Sequence, residues 1–233
     1  MLRLLLTCLI LITSISTRAQ LLLGVGAQAD FPMMFNEFVG GYHHQTGNPG
    51  FRLAACYESE QSNFSPAATV SISTASLPVQ WVANEFVLSM DFVHLQAMLF
   101  GRLKKEVNNG LLYYGVGIGV SHFSGDGVTI GGSDNVQLQT TLSDSSKYIK
   151  MLAPTVAFNI EYIRPIANSN FSYSIGGQLN YFYFYDKTTT YRIDIVDTKG
   201  RYFKTSPQLS GHTLNPMLFV NLYYRFGDTR GRY

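Results

Sequence analysis

The stretch LNPMLFVNLYYRF, residues 214–226, sets the frame for the whole chain. From Met217 onward its even positions are Leu218, Val220, Leu222, Tyr224 and Phe226, and its odd positions are Met217, Phe219, Asn221, Tyr223 and Arg225. Successive side chains of a strand point to opposite faces, so one face is wholly apolar and the other mixed. A run of about ten residues ending in aromatics suits a tilted strand that crosses a bilayer core and finishes in an interfacial aromatic belt. The stretch reads as a closing transmembrane strand.

The same alternation recurs upstream. Residues 21–31 set Leu21, Leu23, Val25, Ala27, Ala29 and Phe31 against Gly24, Gly26, Gln28 and Asp30. Phe51, Leu53, Ala55 and Tyr57 oppose Arg52, Cys56 and Glu58. Residues 67–77 form the least regular strand, with Val70 and Ile72 outward. Val93, Leu95, Ala97 and Leu99 alternate with His94, Gln96, Met98, Phe100, Arg102 and Lys104. Leu112, Tyr114, Val116, Ile118 and Val120 oppose Tyr113, Gly115, Gly117, Gly119 and Ser121. Residues 152–162 place Leu152, Val156, Phe158 and Ile160 against Thr155, Asn159 and Glu161, and residues 171–185 place Phe171, Tyr173, Ile175 and Leu179 against Ser172, Ser174, Gly176, Gln178 and Asn180. With the closing strand the count is eight, and even.

The links order these strands. Asn108-Asn109-Gly110 and residues 167–170 are tight-turn signals, and residues 59–65 are a short polar link. The connections at residues 32–50, 78–89, 125–146 and 187–212 read as longer, the third as a mobile loop rich in Gly, Ser, Asp and Thr. Membrane barrels keep short turns in the periplasm and long loops outside. The expected fold is therefore an all-β, eight-stranded antiparallel transmembrane up-and-down β-barrel.

Alternation leaves open which face is inside, because a soluble lipocalin-like barrel alternates too. The composition of the faces decides between them. A soluble core built from the Gly, Ser, Gln, Asn and charged face would bury unmatched polar groups, and a soluble exterior built from the other would be one apolar belt. Apolar outward, in lipid, costs less.

Residues 1–19 carry Arg3, an apolar core over residues 4–12 and Thr17-Arg18-Ala19, a secretory leader with cleavage expected after Ala19. The expected organisation is a leader over residues 1–19, a barrel over residues 20–226 and a short periplasmic tail over residues 227–233. Losing Arg3 and Arg18 leaves fifteen basic against fifteen acidic residues. That balance argues against a nucleic-acid partner. Cys56 is the sole cysteine expected after cleavage, which excludes an internal disulfide, and Cys8 sits inside the leader's apolar core, where lipidation does not occur. Only 14% of residues are charged, against about a quarter in an ordinary soluble domain.

Asn221-Leu222-Tyr223-Tyr224-Arg225-Phe226 resembles the C-terminal signal of bacterial outer-membrane barrels. The whole chain beyond the leader is similar to the outer-membrane β-barrel domain common in Bacteroidota, which includes PorT-like proteins. The resemblance implies residence in the cell outer membrane and a structural, binding or secretion-accessory role through the extracellular loops. It brings no catalytic motif and no cofactor. The implied surroundings are outer-membrane lipid and lipopolysaccharide, with a protein partner at the loops and a monomeric barrel.

Several residues invite a sharper chemistry. Asp30, Arg52, Glu58, His94, Arg102, Lys104, Glu161 and Arg225 all face inward by parity. They form either a proton or ion path or, the favoured reading, paired charges that fill a tube just wide enough for side chains. Phe100, Phe182, Phe219 and Tyr223 share that interior, and the glycines facing them make room. Gly115-Val116-Gly117-Ile118-Gly119 lacks the helix a nucleotide loop requires. His122-Phe123-Ser124 resembles the His-x-Ser pair of outer-membrane lipid A deacylases, which makes a lipid-modifying enzyme the alternative function. A serine activated by histidine needs a carboxylate to orient the imidazole, and Glu161 faces the wrong way while Asp126 and Asp144 lie in a loop. His43-His44 diverge in an extended chain and have no further ligand nearby, so no metal is expected. No catalytic, cofactor or metal residue is assigned. Within residues 187–212, residues 191–196 and 202–205 flank Asp197-Thr198-Lys199-Gly200 and read as a hairpin with an edge open to a partner strand.

Overall fold

The structure, a computed structural model, describes residues 19–35, 47–59, 62–82, 86–132, 141–142, 149–185, 193–196, 202–205 and 210–226. Residues 1–18, where a leader is expected, His43-His44, Asp144, residues 197–201 and the expected tail at residues 227–233 lie outside these residues.

Eight long strands make up the wall: β1 (Ala19–Asp30), β2 (Asn48–Ser59), β3 (Phe64–Val82), β4 (Phe86–Val107), β5 (Gly110–Gly132), β6 (Ile149–Pro165), β7 (Phe171–Tyr185) and β8 (Ser210–Phe226). Each pairs antiparallel with its sequence neighbours, and β8 returns to β1 with Leu21 opposite Phe226 and Asp30 opposite Met217. The wall is closed, which leaves no edge in the barrel itself. A short strand, Met33–Phe35, extends the seam in unchanged register, Met33 opposite Leu214 and Phe35 opposite His212. Between these two stretches of seam Phe31 donates its N–H to the carbonyl of Pro216, whose ring nitrogen returns no bond.

The side chains sort as the alternation requires. Along β5, Val116 and Ile118 are 65% and 68% exposed while Tyr113 and Phe123 are 0% and 1% exposed. An exterior of exposed Leu, Val, Ile, Phe and Tyr around an interior of buried Arg, Glu, Asp, Gln, Asn and Ser inverts the plan of a soluble protein. The tight turn at Asn108-Asn109 joins the paired residues Val107 and Gly110, with Asn108 at φ 50°, a left-handed conformation that asparagine tolerates.

Two connections differ from the sequence expectation. Residues 78–89 are a continued hairpin instead of a long loop, with β3 and β4 paired up to Val82 and Phe86 and a register shift between Pro78 and Gln80. Likewise β5 runs on through Gly132 against β4, so residues 125–132 belong to a strand. Their Gly, Ser and Asp content reads as a loop in isolation, yet β4 pairs with them residue by residue from Gly127 to Gly132. Strands β3, β4 and β5 thus extend past the end of their pairing with β2 at Gly50–Ser73 and with β6 at Gly125–Ile149. In the 187–212 connection, Ile193–Val196 does pair with Tyr202–Thr205, and Thr141–Leu142 adds to the other edge of Ile193–Val196.

Candidate functional site

The barrel interior is the one place where charged and polar groups converge among the described residues, and glycines shape it. Tyr223 lies opposite Gly24, Phe100 opposite Gly117 and Phe219 opposite Gly176. A Cβ at any of the three glycines would meet the opposing ring. Each large inward side chain therefore lies down across a paired glycine, which is how so narrow a tube holds successive layers of rings and charged heads.

The half nearest the short turns is a dense ionic cluster. Arg102 Nη1 lies 2.7 Å from Glu161 Oε2 with both side chains buried. Gly115 stands between them on β5, paired with Arg102 on one side and Asn159 on the other, so the guanidinium crosses β5 unobstructed. Glu161 Oε1 accepts from Ser174 at 2.7 Å, Tyr223 at 2.8 Å and Asn221 at 3.0 Å. Tyr113 donates to Glu58, and the Arg102 guanidinium sits 4.6 Å above the Tyr113 ring. Four donors around one carboxylate compensate the burial of its charge.

A middle layer is amide-rich. Arg52 Nη1 donates to Gln178 Oε1 at 2.9 Å while its guanidinium stacks 4.1 Å over Phe219. Gln178 donates to Gln96, Gln96 to Ser121 and Thr155 to Ser121, at 3.0, 3.2 and 2.8 Å. At the far end Asp30 accepts from Ser73 and from Gln28, and lies 3.4 Å from His94 Nδ1. His94 is stacked on Phe123 at 4.5 Å, with Phe182 next to both.

The three layers bear on the choice between an ion path and packing. The Glu161 cluster, the Gln178 layer and the Asp30 end each have their own side-chain hydrogen bonds, and Phe219, Met98, Phe123 and Phe182 are buried in the same interior. Packing of side chains is the reading these contacts favour. In planar bilayers the purified protein is expected to show no stepwise conductance, and reproducible steps would refute the filled interior.

His122 and Ser124 are both half-buried on the exterior face of β5, flanked by the inward-facing Ser121 and Phe123. Glu161 is on the interior, as parity requires, and the side chain of Asp126 is outside the described residues. Asp91 of β4 is exposed on that same outer face, two residues before Val93, which pairs with Ser124, while His122 pairs with Leu95. Lys104 donates to the Ser59 carbonyl at the rim, and Cys56 is buried with its thiol 3.7 Å from the Tyr223 hydroxyl. What sequence reasoning did not find is the partnership of Asp30, Ser73 and His94, which come from three strands, with Gly50 of the intervening β2 paired to Gln28 and Ser73.

An apolar exterior, a polar filled interior and a closed antiparallel wall make this an integral membrane barrel of the outer-membrane kind. No family model matches the chain, and no curated protein matches it. Among solved structures it is similar to a major outer membrane protein of Thermus thermophilus, at 13% identity over 88% of this chain and 99% of that one, TM-score 0.47. It is similar also to Ail, the attachment invasion locus protein of Yersinia pestis, at 10% identity over 90% and 100% of the two chains, TM-score 0.45. A third is Neisserial surface protein A, at 12% identity over 88% and 97%, TM-score 0.42.

Proposed function

We propose that this protein is exported by its N-terminal leader, resides in the bacterial outer membrane, and acts there as a structural or binding component of the envelope through its extracellular connections. The resemblance of the chain beyond the leader to the barrel domain that includes PorT-like proteins makes a secretion-accessory role the specific form of that reading. The observation that carries it is the division of labour within the wall. The buried carboxylates Glu161, Glu58 and Asp30 are engaged by neighbouring interior side chains, and the connections are the part of the barrel that reaches beyond the membrane, where recognition is usually carried. The hairpin of Ile193–Val196 with Tyr202–Thr205 is the recognition element in this reading. One of its edges already takes up a strand from another connection, Thr141–Leu142, and the Tyr202–Thr205 edge offers backbone groups to a partner segment in the same way.

Two measurements test it. Mature protein should begin at Gln20 and fractionate with the outer membrane; recovery from the soluble periplasm sinks the membrane reading. Replacing residues 194–203 with a short Gly/Ser turn should leave assembly intact and remove the partner recovered by crosslinking. Retention of every crosslinked partner moves recognition elsewhere.

A further inference from the structure

Arg52 is a buried cation that no carboxylate touches. Among the described residues the interior ion pairs join Arg102 to Glu161 and His94 to Asp30, and none reaches Arg52. Its guanidinium rests on the Phe219 ring and gives Nη1 to two neutral acceptors, Gln178 Oε1 at 2.9 Å and Met217 Sδ at 3.6 Å. Its Nε has no acceptor among the described residues. Burying a charge is costly unless a counter-charge and hydrogen bonds accompany it. Gln178, which holds Arg52, is paired with Asn159 on β6. Asn159 is 1% exposed and faces the lumen, and neither its Nδ2 nor its Oδ1 has a partner among the described residues. On its other side Asn159 pairs with Gly115, the residue that Arg102 crosses, and Arg102 Nε is unpartnered as well. The nearby carboxylate, Glu161, is already given over to Arg102, Ser174, Asn221 and Tyr223.

We infer that one halide ion, chloride under ordinary conditions, is bound inside the lumen beside Asn159, between the guanidiniums of Arg52 and Arg102. The donor set decides the sign of the occupant. Arg52 Nε, Arg102 Nε and Asn159 Nδ2 all carry hydrogens without an acceptor, and two of these donors belong to cations. Charge decides the valence, because Glu161 answers Arg102 and leaves the single charge of Arg52. Enclosure decides the size: Arg52, Arg102 and Asn159 are at most 2% exposed, which selects a monatomic ion over a larger one. The ion supplies the counter-charge and ties Arg52 of β2 to β6, as Gln178 ties it to β7. Charge-assisted hydrogen bonds hold it in place, so it is a fixed constituent of the packed interior and not a permeant ion. The site is independent of the surface recognition proposed above.

Crystals of the full-length mature protein grown in sodium bromide test the site directly. Anomalous scattering should place one bromide beside Asn159 and Arg52, and an ordered water there without a bromide signal overturns the site. A second test unfolds wild type by urea in lipid vesicles, in sodium chloride and in sodium gluconate at equal ionic strength, gluconate being too bulky to enter. The unfolding equilibrium constant should be roughly tenfold smaller in chloride, the worth of one hydrogen bond to a charged group. Asn159→Leu keeps the size of the side chain without its amide, and Arg52→Met removes the charge; each should abolish the chloride dependence. His94→Phe, at the other end of the lumen, should retain it. Folding of each variant is checked by its heat-dependent gel mobility, and the bromide crystals of wild type decide the matter if a variant does not fold. Equal stability of wild type in the two salts, a chloride dependence that persists in Asn159→Leu or Arg52→Met, or one that is lost in His94→Phe overturns the site.

Discussion

The two ends of the lumen bury a carboxylate in different ways. Glu161, toward the short turns, has a guanidinium and three neutral donors within 3.0 Å. Asp30, toward the long connections, has a serine and a glutamine as donors and an imidazole at 3.4 Å, with Phe123 and Phe182 behind that imidazole. One end is held by ionic hydrogen bonds, the other by rings. The contrast teaches where the barrel keeps its rigidity: a charged head surrounded by donors has one arrangement, whereas stacked rings tolerate exchange for other rings.

Breaking the ionic end should have the largest effect. Glu161→Ala leaves the buried Arg102 guanidinium without its carboxylate and should cost about 3–5 kcal/mol, measured by urea unfolding in lipid vesicles. Replacing both partners, Arg102→Met with Glu161→Leu, should recover most of that loss, because an apolar pair has no charge to strand. A double variant as unstable as the single one would show that Ser174, Asn221 and Tyr223, and not the charge, set the cost. The glycine opposite a ring comes next. Gly117→Ala puts a Cβ against the Phe100 ring and the Leu99 carbonyl and should cost about 1–3 kcal/mol. Combining it with Phe100→Leu should restore part of the loss, a coupling that a double-mutant cycle reads directly.

The ring-lined end should give way less. His94→Phe keeps the stack on Phe123, removes the 3.4 Å contact to Asp30 and takes away a buried Nε2 that has no hydrogen-bond partner. Its expected cost in the same unfolding assay is about 1–2 kcal/mol, because the buried Asp30 carboxylate loses its longest contact and keeps Ser73 and Gln28 as donors. A loss matching that of Glu161→Ala would erase the distinction between the two ends.

How much of this the sequence carried depends on whether the interaction is local. Period-two alternation places Arg102, Glu161, Asp30 and His94 inside, because parity is a property of each strand alone. Gly24 and Gly117, opposite Tyr223 and Phe100, were also legible as space for inward rings, whereas Gly176 opposite Phe219 was not read that way. Pairing across the lumen was not. Arg102 reaches Glu161 over Gly115, and Asp30, itself paired with Asn48, reaches Ser73, the partner of Gly50, so each pairing depends on register between strands and on a glycine in the strand between. The height of β3 to β5 was missed for a related reason. Turn-type residues such as Gly127, Gly131 and Pro78 look like loops until a neighbouring strand is there to pair with them. The Tyr181–His212 contact was hidden too, since it joins β7 to β8 across a long connection.

The smallest expected effect lies on the outer face of β5, and it bears on whether this barrel has chemistry at all. His122 and Ser124 share one face two residues apart, the spacing that suggested a lipid A deacylase. Residues i and i+2 of a strand stand side by side and point the same way, so histidine and serine can be neighbours without being aimed at each other. A serine nucleophile also needs its base oriented by a third group, and an oxyanion held by donors in place. The carboxylate deepest in the barrel, Glu161, is committed to Arg102, Ser174, Asn221 and Tyr223, and Asp30 is committed to Ser73, Gln28 and His94. Both face the lumen, on the other side of the wall. Ser124→Ala is therefore expected to leave the lipid A acylation pattern unchanged when parent and variant cells are compared by mass spectrometry. Loss of a deacylated species in the variant would put a nucleophile on the lipid face and make Asp91, exposed on the neighbouring strand β4, the first carboxylate to test as the third group.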